Sequence, residues 1–159
     1  MQKQDRPIFD MTEMTSSETT PCNCLALRQA ARRVTQLYET YLAPLGLRSS
    51  QYSVLARLAR LGPMSINELA DGIVMDRTTM GRAIRPLERD GLVAIGAADD
   101  GRKRVVRLTP AGTALFKKAV VQWRKAQKQF EASYGEVPAT RLRIALKDVV
   151  SAMPETGAD

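Results

Sequence analysis

Arg77, Thr78, Thr79, Arg82 and Arg85 lie close together in a stretch, Arg77 to Pro86, that holds no acidic side chain. Wound as a helix, Thr78, Arg82, Arg85 and Arg89 share one side, and Met80, Ile84 and Leu87 share the other, with Ala83 beside them. Gly81 falls on the polar side, where it holds no backbone away. Such a face suits the edges of nucleic-acid bases. A threonine hydroxyl can meet a phosphate and its methyl a thymine. An arginine fork can grip guanine O6 and N7, worth roughly 1–3 kcal/mol of discrimination. The helix N-terminus, near Arg77 and Thr79, can receive a phosphate. Taken alone, the same face reads first as an ordinary solvated one. The missing acids, a tight connection before the helix and a basic segment after it favour nucleic acid.

That basic segment is "DDGRKRVVRLTPAG", Asp99 to Gly112. It opens with a polar turn in which Gly101 is free to take positive φ. Arg102, Lys103 and Arg104 follow, then a β-prone run anchored by Val106 and Leu108. Other chemistries have fewer tools. The chain has no histidine, the commonest general base and metal ligand. Its two cysteines, Cys22 and Cys24, cannot build a four-ligand zinc site or a disulfide framework within one chain. No phosphate loop or carboxylate pair is evident. The reading is therefore no enzyme, no cofactor and no metal. The formal net charge of +7 permits an anionic partner.

The elements that must position these groups follow from periodicity and punctuation. Residues 1–20 are polar and aperiodic, and read as a flexible tail. Thr20 and Pro21 suit the start of a long helix whose apolar stripe includes Val34, Leu37, Tyr38, Tyr41 and Leu45, and which Pro44 and Gly46 end. Ser49 or Ser50 caps a second helix with Val54, Leu55, Leu58 and Leu61 on its apolar face, ended by Gly62-Pro63. Ser65 and Glu68 have capping-box spacing for a short third helix. Asp76 caps the fourth, about 76–90, and Gly91 stops it. Pro86 predicts a bend or an irregular last turn there. Two strands with a polar turn follow, then a long helix opened by Thr109-Pro110, a break over Gly135 to Pro138, and a last helix. Two short helices joined by a tight turn and followed by a hairpin describe a winged helix-turn-helix. The fold class is mainly α with a small antiparallel β-hairpin wing.

At this point the sequence resembles the MarR family, the multiple-antibiotic-resistance type of bacterial transcriptional regulator. "SINELADGIVMDRTTMGRAIRPLERDGLV", the turn Asp100-Gly101-Arg102, "VVRLTPAG" and the long flanking helices carry the likeness. The resemblance implies a homodimer in which residues 21–48 and 110–153 form a helical dimerisation region. Residues 49–109 are then the DNA-binding domain, with the recognition helix at about 76–90 and the wing at about 92–109. It implies that Asp100 aims Arg102 into a minor groove, while Lys103 and Arg104 add phosphate contacts. A two-fold dimer implies double-stranded DNA with a roughly palindromic operator.

Two sensing routes stay open. One branch of the family senses organic hydroperoxides through a reactive cysteine. Cys24 falls at that position, Cys22 is close by, and Tyr38 matches a tyrosine that bonds the thiolate there. Arg28 replaces that branch's usual tyrosine. The other reading of Cys22 and Cys24 is as small side chains packed in the dimer interface. The second route is a small aromatic or anionic effector in a cleft, with Arg28, Arg32, Tyr38 and Tyr52 as polar candidates. The expected function is a dimeric, sequence-specific transcriptional regulator, a repressor released by a small-molecule or oxidative signal. The alternative is a weakly specific, non-enzymatic nucleic-acid-binding scaffold. No run is long and apolar enough for a membrane span and no signal peptide is evident, so the expected location is cytoplasmic.

Overall fold

The computed structural model describes residues 22–98, 101 and 103–153. Thr20, Pro21, Asp100 and Arg102 lie outside the described residues. The helices are α1 (Asn23–Leu42), α2 (Ser49–Leu61), α3 (Ile66–Ile73) and α4 (Arg77–Arg89). The hairpin β1 (Val93–Ala97) and β2 (Arg104–Leu108) comes next, followed by α5 (Pro110–Tyr134) and α6 (Glu136–Ala152). The chain divides into two units at Val34/Thr35. Within the first, the described residues are Cys22 and the opening of α1. The second holds the remainder of α1 and every later element.

The second unit is organised around the apolar faces that periodicity marks. Val54, Leu55 and Leu58 of α2, Met80, Ile84 and Leu87 of α4, and Val93 and Val106 of the hairpin are buried together. Each fully buried aliphatic side chain contributes about 1.5–3 kcal/mol. The strands pair antiparallel, from Val93 opposite Leu108 to Ala97 opposite Arg104. Their turn closes by bonds from the Ala98 N–H to Lys103 and from the Gly101 N–H to Ala98, with Gly101 at φ 68°. Met64 adds a two-way backbone bridge to Val106, so the α2–α3 connection pairs directly with the outer edge of β2.

Local signals set most helix ends. The Ser65 hydroxyl accepts from the Glu68 N–H at 3.2 Å, and the Ser65 N–H donates to the Glu68 carboxylate at 2.7 Å, which is the anticipated capping box. Asp76 accepts from the Thr79 N–H at 2.8 Å. At the far end of α4, the Leu92 N–H reaches the Leu87 carbonyl and the Gly91 N–H reaches Glu88, a Schellman stop that needs Gly91 at φ 70°. The helix continues past Pro86 to Arg89. Thr109 caps α5 by accepting from the Gly112 N–H, while its hydroxyl donates to the Gly91 carbonyl.

Two boundaries differ from expectation. The cap of α2 is Arg48 rather than Ser49 or Ser50, because the Gln51 side chain reaches back to accept the Arg48 N–H at 2.9 Å. The break before α6 is Gly135 alone. Pro138 sits in the first turn of α6, where a proline displaces no intrahelical donor. One conformation was not anticipated: Val74, 72% exposed, ends α3 at φ 57° and ψ 52°. A β-branched residue there costs about 1–3 kcal/mol, so the tight turn before α4 holds its shape against local preference.

Candidate nucleic-acid interface

The turn at Val74 and the Asp76 cap present α4 with its polar side outward. Met80, Ile84 and Leu87 anchor it, and Arg77, Thr78, Arg82 and Arg85 are exposed. With Gly81 they line a cleft against Ile66, the first residue of α3. Among the described residues, none offers Arg77, Arg82 or Arg85 a hydrogen bond or an ion pair. Arg89 differs, since its guanidinium meets Asp90 at 3.0 Å. Three guanidinium groups therefore line one cleft with no anion paired to them among the described residues.

Thr79 is held differently from its neighbours. Its N–H and its hydroxyl both donate to Asp76, the hydroxyl at 2.5 Å, and it does not line the cleft. Its local task is to fix the start of α4. Lys103 and Arg104 are exposed on the hairpin, at the end remote from Val93. Arg107 turns back and donates to the Ala97 carbonyl at 2.8 Å, bracing the two strands. Ile66 lines the cleft and is at the same time partly buried against the core. Its position as the first residue of α3, beyond the cap, is the signal that could have placed it at the edge.

Gly81 has the opposite character to most helix glycines. A Cβ there would meet nothing within 4 Å, yet glycine in a helix interior costs about 0.5–1 kcal/mol relative to alanine.

The caps also give this region a pH response. Hydrogen bonds from the Thr79 side chain and then its backbone hold the Asp76 carboxyl below its usual range. The backbone and side chain of Ser65, with a smaller contribution from the Lys103 charge, do the same for Glu68. A depressed folded-state pKa contributes stability that is present above the unfolded value and lost as pH falls through the folded one. Urea midpoints should therefore decline below about pH 4.5, and Asp76→Asn should flatten that decline while lowering the midpoint at pH 7.

Residues 47–102 match the MarR family. The HTH-type transcriptional regulator YwoH of Bacillus subtilis (strain 168) is 31% identical over 108 residues, covering 68% of this chain and 79% of that protein. The crystal structure of the Mycobacterium tuberculosis transcriptional regulator MosR superposes with a TM-score of 0.71 at 36% identity, covering 84% of this chain and 98% of that one. The chain belongs to the MarR family. It is a winged-helix, DNA-binding transcriptional regulator, and its family and fold are those of regulators rather than enzymes. MosR has also been crystallised in complex with DNA, and in that form is similar at 39% identity and a TM-score of 0.70, over 82% of this chain and 97% of that one. The homoprotocatechuate degradative operon repressor of Escherichia coli is 27% identical over 80% of this chain and 86% of its own length. Among the described residues, no helix is long and apolar enough to cross a membrane.

In this MarR-family chain the candidates for each sensing route are divided between the two units. In the first unit, Cys22 and Cys24 are exposed at the start of α1, as are Arg28 and Arg32. The Cys22 sulfur accepts from the Leu25 N–H at 3.4 Å and so caps the helix. In the second unit, the Tyr38 hydroxyl donates to Gln127 of α5, which donates to Glu131 at 2.7 Å, which in turn pairs with Arg143 of α6 at 3.4 Å. Burial, then the Glu131 charge, raises the Tyr38 pKa. Tyr52 stacks on Trp123 with ring centroids 6.0 Å apart and also meets Phe116. Sequence spacing places Tyr52 and Trp123 on separate helices and carries no signal that their rings meet.

Proposed function

We propose that the chain acts as a homodimeric, sequence-specific repressor that occupies a roughly palindromic operator and leaves it on a small-molecule or oxidative signal. The observation that carries this reading is the cleft of α4, where Arg77, Arg82 and Arg85 have no paired anion among the described residues. In it, Thr78, Arg82 and Arg85 read base edges in the major groove, and Arg77 takes a phosphate at the helix start, which Thr79 holds in place through Asp76. On the wing, Asp100 aims Arg102 into the minor groove, and Lys103 and Arg104 hold phosphates. The DNA complex of MosR supports the docking, and the homoprotocatechuate degradative operon repressor supports the sign of control.

Exposed apolar residues on one side of α6, Leu146, Val149 and Val150, support the dimer, because a lone helix does not leave such a stripe in water without cost. For the signal, Cys24 with Cys22 and Tyr38 is the oxidative candidate, and peroxide its reagent. Tyr38 and Tyr52, with Arg28 and Arg32, are the candidates for an aromatic or anionic effector.

Sequencing the genomic fragments retained by purified protein, with and without peroxide, tests both parts. Enrichment of one palindromic site is expected, with peroxide emptying it for wild type and not for Cys24→Ser. Retention of fragments without sequence preference would instead support the scaffold alternative. Release of Cys24→Ser by peroxide would remove that cysteine from the sensor.

A further inference from the structure

Gly81 is a residue of α4 that no contact among the described residues explains. No neighbouring atom requires its missing Cβ, and its backbone is not in the left-handed region that favours glycine. What marks it is its place. It lies in the cleft where Ile66 supplies an apolar group and Arg77, Thr78, Arg82 and Arg85 supply polar ones. A cleft so built has two chemistries side by side: guanidinium forks and a small apolar niche. In the major groove one kind of base step offers both partners. Guanine presents O6 and N7, and thymine presents its C5-methyl. A phosphate would satisfy the arginines and gain nothing from Ile66.

We propose that Gly81 is a specificity-determining residue whose missing side chain leaves room, beside Ile66, for the C5-methyl of a thymine next to an arginine-bound guanine. The proposal rests on α4 being the recognition helix. Alanine at 81 fills the niche and at the same time favours the helix. Affinity for the operator and thermal stability therefore move in opposite directions, which a merely structural glycine would not produce.

The test uses the operator selected by the wild-type protein and replaces its thymines one at a time by uracil, removing only the methyl. For wild type, one thymine per half-site should cost about fourfold in affinity when demethylated. Gly81→Ala should bind the thymine operator at least fourfold less tightly, be indifferent to uracil at that position, and melt about 2–4 °C higher. The proposal is overturned if wild type tolerates uracil at every thymine, or if Gly81→Ala keeps full affinity. Equal losses on operator and unrelated DNA would also overturn it, since they would mean an approach to the sugar–phosphate backbone. A wild type without preference for any site would defeat the recognition reading itself, and this proposal with it, an outcome distinct from a site bound regardless of its methyls.

Discussion

Gly112→Ala is expected to destabilise the protein by about 1–3 kcal/mol, towards the upper end. On propensity alone the change should help, since Gly112 lies inside α5. Its Cβ, however, would stand 1.9 Å from the Leu92 carbonyl oxygen and 2.8 Å from the carbonyl carbon. Those are backbone atoms and cannot rotate away. The same carbonyl accepts from the Thr109 N–H at 3.1 Å and from its hydroxyl at 3.2 Å. Moving it loosens the α5 cap and the exit from α4 together. Urea unfolding at neutral pH gives the value directly. Thr109→Ala provides the scale, at about 1 kcal/mol for a lost cap. A Gly112→Ala protein as stable as wild type would mean that α5 and the Leu92 segment are not in contact as described.

Arg82→Ala should leave stability within about 0.5 kcal/mol of wild type, because the exposed side chain has no hydrogen-bond or ion-pair partner to lose among the described residues. Its effect should appear on DNA. The loss of one bidentate contact is worth about 1–3 kcal/mol, roughly 5–150-fold in affinity at each half-site. Preference should relax at a single base position in each. Lys103→Ala separates base reading from charge: all sequences should weaken about equally, and the salt dependence should become shallower by about one phosphate contact per subunit. Titrations of operator and unrelated DNA at several salt concentrations check both. Wild-type affinity and selectivity in Arg82→Ala would exclude α4 as the reading helix.

How far the sequence discloses this architecture depends on the range of each interaction. The Ser65–Glu68 box, the Asp76 cap, the Thr109 cap and the Gly91 stop are legible because each is made within a few residues. Gly101 is legible because the turn's geometry selects its residue type. Clustering of Arg77, Thr78, Arg82 and Arg85 follows from helical period alone. Arg48 escapes notice as a cap because the bond runs from its backbone to Gln51, a residue type that also populates helix interiors. Pro138 reads as a breaker until the helix start is known to lie two residues before it. Thr79 looks free for DNA because its neighbours are, and only coordinates reveal both of its donors on Asp76. The Tyr52–Trp123 stack and the Met64–Val106 bridge join residues far apart in the chain, where no local preference reports them. Gly72 belongs with these: the Arg57 guanidinium lies over it and donates to its carbonyl at 3.0 Å, closing the space a side chain would need.

The Met64–Val106 bridge has a mechanical consequence. The hairpin is stitched through β2 to the α2–α3 connection, and the same strand runs through Thr109 straight into the capped start of α5. Among the described residues, the base of the wing is thus tied both to the segment that leads into α3 and to the start of α5. In the proposed two-fold dimeric repressor, the two DNA-binding lobes would behave as the jaws of a caliper: a signal would change the gauge between them, but not the profile of either jaw. Derepression would then abolish the fit to two half-sites at once while leaving each half-site's code intact. An operator re-spaced by a few base pairs is the natural key for the released form.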